Sequence, residues 1–440
     1  MANTFRNQFT VTPQVLRVSD EEKRIIIHAR QGHGRKLLDM VSAYRLVAMY
    51  QPVPGENRKW LKTLPEGKLK RLPNGDLELY ARLPKEGEYT LYLEKAAGEG
   101  DSAEVMTFAV YALEKDLFNL RPWKGDFHIH SSESDGKETP EFVMATCRRD
   151  GFDFMALTDH HQYAPSLAAQ KGACECNCDM LVLPGEEVHL PGNAPHIINF
   201  GGNRSINELA CRDEEKYRRE SMEYAKTLPE NMDSINRFEI GASEWAFDRI
   251  REAGGVAMFC HPYWHWQYHN YVDEEVIDHL LDHNRFDVLE VFGGMSKQQI
   301  EMNMLAMHRW QEERAKGKII PAAGVSDGHG CDTSVSNWYY TIIFAEKLEF
   351  PLLAEAIRAD RCVGVHRLPG EHPILAGNFR FCKFTYFLFR EFYPRHDEIC
   401  HLEGTIMRSY YSEGSINAPE VISSLSGAVA SFMRSFWEEN

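Results

Sequence analysis

Lys124-Gly125-Asp126-Phe127-His128-Ile129-His130-Ser131, with Asp135-Gly136 in the loop behind it, is the stretch on which the fold turns. Strand side chains alternate between faces, so His128 and His130 share one face while Phe127 and Ile129 take the other, apolar one. Two imidazoles offered together at a strand end build half of a metal site. The pair is a weak signal by itself, and its weight comes from what the chain places after its other strands.

From about residue 123 onward, apolar strands alternate with helices. Strands are expected over 154–158, 181–183, 196–200, 256–260, 288–292 and 319–323. A helix is expected over 140–150, with Thr139 as its N-cap and Pro140 in its first position. Others are expected over 243–253, ended by Gly254-Gly255, and over 297–316. Repeated strand–helix units of this kind favour an α/β fold, either a β/α barrel or a doubly wound sheet. Residues 204–241 are charged and helix-like, an insertion able to cover a barrel mouth as a lid.

Upstream, the period is two. Strands are expected over 23–29, 44–50, 76–81, 89–93 and 104–111, with turns at Pro54-Gly55, Pro73-Asn74-Gly75 and Glu86-Gly87-Glu88. Short strands at this spacing over residues 1–120 suggest a small all-β immunoglobulin-like sandwich, serving as a scaffold or substrate-contacting module. After about 366 the chain turns aromatic and helix-like, as in 381–389. Its Phe and Tyr density reads as a helical C-terminal extension, 368–440, packing on the barrel of 121–367.

Composition limits the partners. Of the 440 residues, 43% are hydrophobic, including 24 Phe, 18 Tyr and 8 Trp, which is ample for packed cores. Acidic residues outnumber basic ones by 65 to 49, a net charge of −16. That excess argues against non-specific attachment to nucleic acid or anionic membranes. An anionic substrate stays open, because bound cations invert a local field. The first residues carry no apolar h-region and no later apolar run is long enough to span a bilayer, so the chain reads as cytoplasmic. Its ten cysteines then read as reduced thiols. Cys174-Glu175-Cys176-Asn177-Cys178 is a compact thiol cluster that could grip Zn²⁺ or Cu⁺, but it reads as a surface-loop cluster, since no fourth ligand stands at zinc-finger spacing.

Metal-type residues recur at strand ends, where barrel enzymes keep their chemistry. After His128, His130 and Asp135 come Thr158-Asp159-His160-His161, Pro184-Gly185-Glu186-Glu187, His196, Cys260-His261-Pro262, and Gly324-Val325-Ser326-Asp327-Gly328-His329. Singly, each has a bland reading: a core histidine, a surface carboxylate, or an Asp-Gly turn. Their recurrence at the strand ends of one domain does not. Converging imidazoles and carboxylates are costly to leave unpaired, and divalent cations remove that cost.

The ordered series His-x-His, Ser-Asp-Gly, Thr-Asp-His, Pro-Gly-x-Glu, His, His-Pro and Ser-Asp-Gly-His is similar to the PHP (polymerase and histidinol phosphatase) family over about 123–367. The resemblance implies a distorted β/α barrel with two or three divalent ions (Zn, Mn or Fe) at its mouth. It also implies a hydrolase, mostly of the phosphoesterase or phosphatase kind. Carried over by motif, the ligands are His128, His130, Asp135, His160, Glu187, His196, His261, Asp327 and His329. On that basis His128, His130 and Asp327 hold one ion, and His196 with His261 a second, Glu187 bridging both. Asp135, His160 and His329 hold a third. Glu186 is a rival bridge that the Gly-x-Glu spacing disfavours.

The chain departs from the family after His-Pro, where many members carry a basic residue. Here Tyr263-Trp264-His265-Trp266 follows. Aromatic faces suit a sugar or base, so the expected substrate is a small phosphorylated molecule carrying a ring. The expected reaction is attack on phosphorus by a hydroxide shared between ions, with Asp159 positioning a ligand or the nucleophile and His265 donating the proton. An amidohydrolase-like attack on an amide or carboxylic ester is the alternative. A non-catalytic, metal-stabilised binding protein is the third reading.

Overall fold

The computed structural model describes residues 8–30, 32–49, 62–63, 69–95, 104–266, 269–294, 300–332, 337–414 and 417–438. The Pro54-Gly55 turn and the expected helix start at Lys297 lie outside them. The chain is a mixed α/β protein that divides into two compact units. One comprises Met1–Leu120, Lys383–His396 and Gly427–Asn440, the other Arg121–Cys382 and Asp397–Ser426.

The first unit carries two sheets. One runs in the order Phe9–Thr12, Ser19–Ala29, Leu77–Leu83, Lys70–Arg71; the other runs Val15–Arg17, Glu104–Leu113, Gly87–Glu94, Ala43–Ala48, Lys62–Thr63. The alternation read from sequence explains their shared core. Ile25, Ile27, Leu77, Leu79 and Leu83 from one sheet bury themselves with Leu91, Leu93, Phe108 and Val110 from the other. Gly75 closes the turn after Asn74 at φ 81°, a conformation that favours glycine. The aromatic stretch near 384, expected to pack on the barrel, belongs instead to the first unit: Phe384 and Phe387 lie 4.9 and 5.2 Å, ring to ring, from Tyr111.

The second unit holds the strand–helix alternation. A six-stranded sheet runs Leu181–Leu183, Phe154–Ala156, Arg121–Asp126, Tyr339–Ala345, Cys362–His366, Ile374–Gly377. A five-stranded sheet runs Gly185–Val188, Ile197–Phe200, Val256–Phe259, Val288–Phe292, Ala322–Gly324. The two meet backbone to backbone at glycines. A Cβ on Gly324 would come within 2.7 Å of Tyr340 O and Val365 N, and one on Gly364 within 2.8 Å of the Ala323 carbonyl carbon. Thr341 Oγ1 seals the approach by donating to Gly324 O (2.7 Å) and accepting from Gly324 N (3.1 Å). At the opposite edge, Leu183 runs through Pro184 directly into the Gly185 strand.

Helix Pro140–Arg149 begins where expected, its Thr139 side chain accepting from Phe142 N. The expected helix over 243–253 is longer, Ser234–Glu252, because Asp233 caps it by accepting from Ile235 N at 2.8 Å. Residues 206–227 and 234–241 are helical but for Asp213, and share a core with the strands: Ile206, Ala210, Tyr217 and Ile240 pack in one cluster with Val188, Ile197 and Phe259. Among the described residues no helix is long and apolar enough to cross a membrane.

Candidate metal centre

Glu187 is the hub. It sits on the Gly185–Val188 strand with its carboxylate fully buried, and its oxygens face different histidines. His196 Nδ1, His189 Nε2 and His261 Nε2 approach Oε1 at 2.8, 3.3 and 3.6 Å. His160 Nδ1, His128 Nε2 and His130 Nε2 approach Oε2 at 2.7, 3.4 and 3.5 Å. Asp327 Oδ1 completes the second group, 3.0 Å from His130 Nε2 and 3.3 Å from His128 Nε2. Beside it, Asp135 lies 3.2 Å from His329 Nε2 and 3.5 Å from His160 Nε2. All nine motif residues therefore converge.

Strand alternation puts Glu186 on the other side. Its carboxylate accepts from Ser205 Oγ at 2.7 Å, Asn207 Nδ2 at 3.0 Å, Asn199 Nδ2 at 3.2 Å and the Ile206 amide. It anchors the start of the Ile206–Arg212 helix and, among the described residues, accepts from no imidazole. Asp327 is held at φ 47°, uncommon for a residue with a side chain and typical of functional turns. Asp126 fixes that turn to the first strand, accepting from His128 N (3.1 Å) and Ser326 N (3.0 Å).

The electrostatics suit cations. Burial opposes ionisation of Glu187, but His128 and His196 outweigh it and hold the carboxyl well below the usual range. Asp327 is likewise held well down against burial, by His128 and His130. Burial opposes protonation of His128, yet Asp327, Glu187 and Glu290 push it well above an ordinary imidazole. At His196 burial wins and lowers it to about 4, leaving a neutral ring. Both Glu187 oxygens, His128 Nε2, His130 Nδ1 and His196 Nδ1 are buried without a hydrogen bond. Such groups cost about 1–3 kcal/mol each, more when charged. The set would consume a large part of the roughly 5–15 kcal/mol that holds a domain folded. A donor set of imidazoles and carboxylates fits divalent cations such as Zn²⁺, Mn²⁺ or Fe²⁺, which would satisfy these atoms together.

Two contributors escape the motifs. Glu290, buried in the Val288–Phe292 strand, accepts from His128 Nδ1 at 3.0 Å, which sets the tautomer and leaves Nε2 for the centre. Its signal was a carboxylate in the middle of Val-Leu-Glu-Val-Phe. Glu290→Gln is expected to weaken metal binding about 10–100-fold while the protein stays folded, as read by chelator competition. His189 is the second, and stands two residues beyond Glu187 on the same face. The i, i+2 logic that paired His128 with His130 also reaches it.

Asp159 touches the loop ahead of Asp135, accepting from Ser131 N and Ser131 Oγ, both at 2.8 Å, and from Ser134 Oγ. It holds the loop that carries Asp135, and among the described residues it bonds no ligand imidazole. His265 lies in the short hairpin of His265–Trp266 and His269–Asn270. No contact among the described residues ties it to the centre. The hairpin instead sets Trp264 and Tyr271 beside the cluster, Tyr271 5.2 Å and Trp264 6.1 Å from His196, ring to ring. The Cys174–Cys178 thiols diverge: Cys176 bonds the Tyr411 hydroxyl at 3.3 Å, Cys178 accepts from Met180 N at 3.4 Å, and Cys174 is exposed.

No protein-family model matches the chain. Over 103 residues, 23% of its length, it is 32% identical to the DNA polymerase/3'-5' exonuclease PolX of Bacillus subtilis (strain 168), covering 16% of that protein. Among solved structures it resembles a two-domain protein from Bacteroides vulgatus ATCC 8482 containing a predicted PHP-like metal-dependent phosphoesterase. The identity is 18% over 57% of this chain and 66% of that one, with a TM-score of 0.40. It also resembles an amidohydrolase from Chromobacterium violaceum, at 21% identity over 47% of this chain and 87% of that one, with a TM-score of 0.32. The chain is similar to PHP-like metal-dependent phosphoesterases.

Proposed function

We propose that the chain is a metal-dependent hydrolase of phosphate esters, with a di- or trinuclear centre at one end of a distorted β/α barrel closed from the two sheets of its second unit. The observation that carries this reading is Glu187, whose buried oxygens each face a separate group of imidazoles without a hydrogen bond. His128, His130 and Asp327 would hold one ion on the Oε2 side and His196 with His261 another on the Oε1 side. Asp135, His160 and His329 would hold a third. Bound divalent cations supply Lewis acidity toward a phosphoryl oxygen, a lowered pKa for water and neutralisation of developing negative charge.

The chain's own residues orient and shape that chemistry. Glu290 fixes the His128 tautomer. His329 Nδ1 donates to Asp327 O at 2.8 Å, turning its Nε2 toward Asp135. Trp264 and Tyr271, 4.8 Å apart, give the centre an aromatic wall that favours a ring-bearing ester, a sugar or base phosphate. The two N-terminal sheets are read as an immunoglobulin-like scaffold. With a net charge of −16, a small substrate is favoured over a long nucleic-acid strand.

A carbon-centred hydrolysis is the second reading. It is favoured by one observation: among the described residues no Lys or Arg ion-pairs with Glu187, Asp327 or Asp135 to mark a phosphate seat. A single experiment separates the two. Metal content is measured on fresh protein, and the same sample is offered a phosphomonoester, a phosphodiester, a short oligonucleotide, a carboxylic ester and an amide, with Mn²⁺ or Zn²⁺. About two to three equivalents of metal with phosphate-ester cleavage is the expected result. Turnover of the ester or amide alone would replace the phosphoesterase reading, and absence of metal would end both.

A further inference from the structure

We propose that His189 is a metal ligand, the third imidazole of the centre on Glu187 Oε1, which thereby becomes a three-nitrogen, one-oxygen site. This rests on the metal-dependent reading above and goes beyond the nine motif residues, none of which is His189.

The geometry supplies the grounds. His189 Nε2 is 3.3 Å from Glu187 Oε1, between the 2.8 Å of His196 Nδ1 and the 3.6 Å of His261 Nε2. Ligand atoms about 2.0–2.2 Å from a common ion stand roughly 3–3.5 Å apart, and the His189 Nε2 to Glu187 Oε1 spacing falls in that range, with those of His196 and His261 just to either side. Each ring comes from a different place. His196 stands just ahead of Ile197–Phe200, His261 just after Val256–Phe259, and His189 just after Gly185–Val188. The His189 and His196 rings lie against one another, 3.8 Å between centroids and tilted by 38°. The backbone fixes His189 as firmly as its neighbours, because Asn207 Oδ1 accepts its N–H at 2.9 Å. The same Asn207 donates to Glu187 O at 2.9 Å and to Glu186 at 3.0 Å, so one amide side chain aligns the whole strand end.

The competing role is a hydrogen bond only. His189 Nε2 is 2.9 Å from His160 Nδ1, and two neutral imidazoles can share a proton there. Yet His160 Nδ1 also faces Glu187 Oε2 at 2.7 Å. When His160 Nδ1–H is directed at that oxygen, the His189 Nε2 lone pair is left without His160 as its donor. An ion on the Oε1 side would take that lone pair. A site of three imidazoles and a carboxylate selects Zn²⁺ or Fe²⁺ over Mg²⁺ or Ca²⁺, which prefer all-oxygen surroundings.

The test is metal binding, read without turnover. Full-length protein and its His189→Gln variant are stripped, checked for folding by circular dichroism, and titrated with Zn²⁺ against a chromophoric chelator. X-ray absorption then counts the imidazoles per ion. The variant is expected to lose affinity in one class of site by at least about tenfold, with fewer imidazoles per zinc and the other class unchanged. A stripped variant that fails to fold is replaced by His189→Asn, judged by the same readouts. Unchanged affinity and imidazole count in a folded variant would overturn the assignment and leave His189 as a hydrogen-bond partner of His160. Wild-type protein that takes up no zinc would instead overturn the metal-dependent reading itself.

Discussion

Glu187→Gln is expected to remove two classes of bound metal together and to lower hydrolysis by about 10²–10³-fold, the scale of a lost electrostatic anchor in a buried site. The reason is topological. One carboxylate serves both imidazole groups, so neither is left with its full set when the charge disappears. Gln keeps the shape and one carbonyl oxygen, and the metal-free variant should therefore remain folded. The contrast with Glu186→Gln is diagnostic: Glu186 touches Ser205, Ile206, Asn199 and Asn207 and no ligand imidazole. Its loss should appear in stability before metal stoichiometry. Metal analysis of the two variants side by side checks both; wild-type metal content in Glu187→Gln would refute the bridging role.

Glu403→Ala is expected to destabilise the second unit by about 3–5 kcal/mol, the cost of leaving a buried charge without its partner. Arg148 is almost wholly buried on the Pro140–Arg149 helix, and its Nε donates to Glu403 Oε2 at 2.7 Å. Glu403 Oε1 also accepts from Asp179 N at 3.3 Å, and Arg148 Nη1 donates to Phe152 O at 3.0 Å. Removing the carboxylate leaves a guanidinium that cannot deprotonate with only the more distant Asp153, at 3.9 Å, as counter-charge among the described residues. Replacing both partners with apolar residues, Arg148→Met with Glu403→Leu, should recover most of the loss, since buried pairs rarely outdo a packed apolar contact. Urea unfolding of the single and double variants decides; a single variant as stable as wild type would mean water reaches the pair.

Much of the centre was legible because its chemistry obeys local rules. His128 with His130, and Asp327 with His329, advertised themselves by i, i+2 spacing at strand ends, and the structure brings all four together. The choice of Glu187 over Glu186 followed from spacing and agrees with the alternation of the strand. Glu290 was not legible as a partner of His128: 162 residues separate them, and His128 follows a strand of one sheet of the second unit while Glu290 sits in a strand of the other. His265 was expected as the proton donor from the aromatic run after His261-Pro262; among the described residues it is Trp264 and Tyr271 that pack beside the cluster. Helix ends were readable where a cap was recognised, as at Thr139, and misplaced where Asp233 was passed over.

Adjacent glutamates carry a hidden ambiguity. A strand displaced by one residue swaps its two faces, and Gly185–Val188 would then show Glu186 to the histidines, so a carboxylate alone does not tell the two alignments apart. The residues two places on do. In the native alignment Val188 enters the apolar cluster with Ile197, and His189 joins the imidazoles. Displaced, a valine would face the charged centre and an imidazole the hydrocarbon. The four-residue word Glu-Glu-Val-His thus contains its own parity check, which proofreads the fold at the point where an error would be hardest to notice.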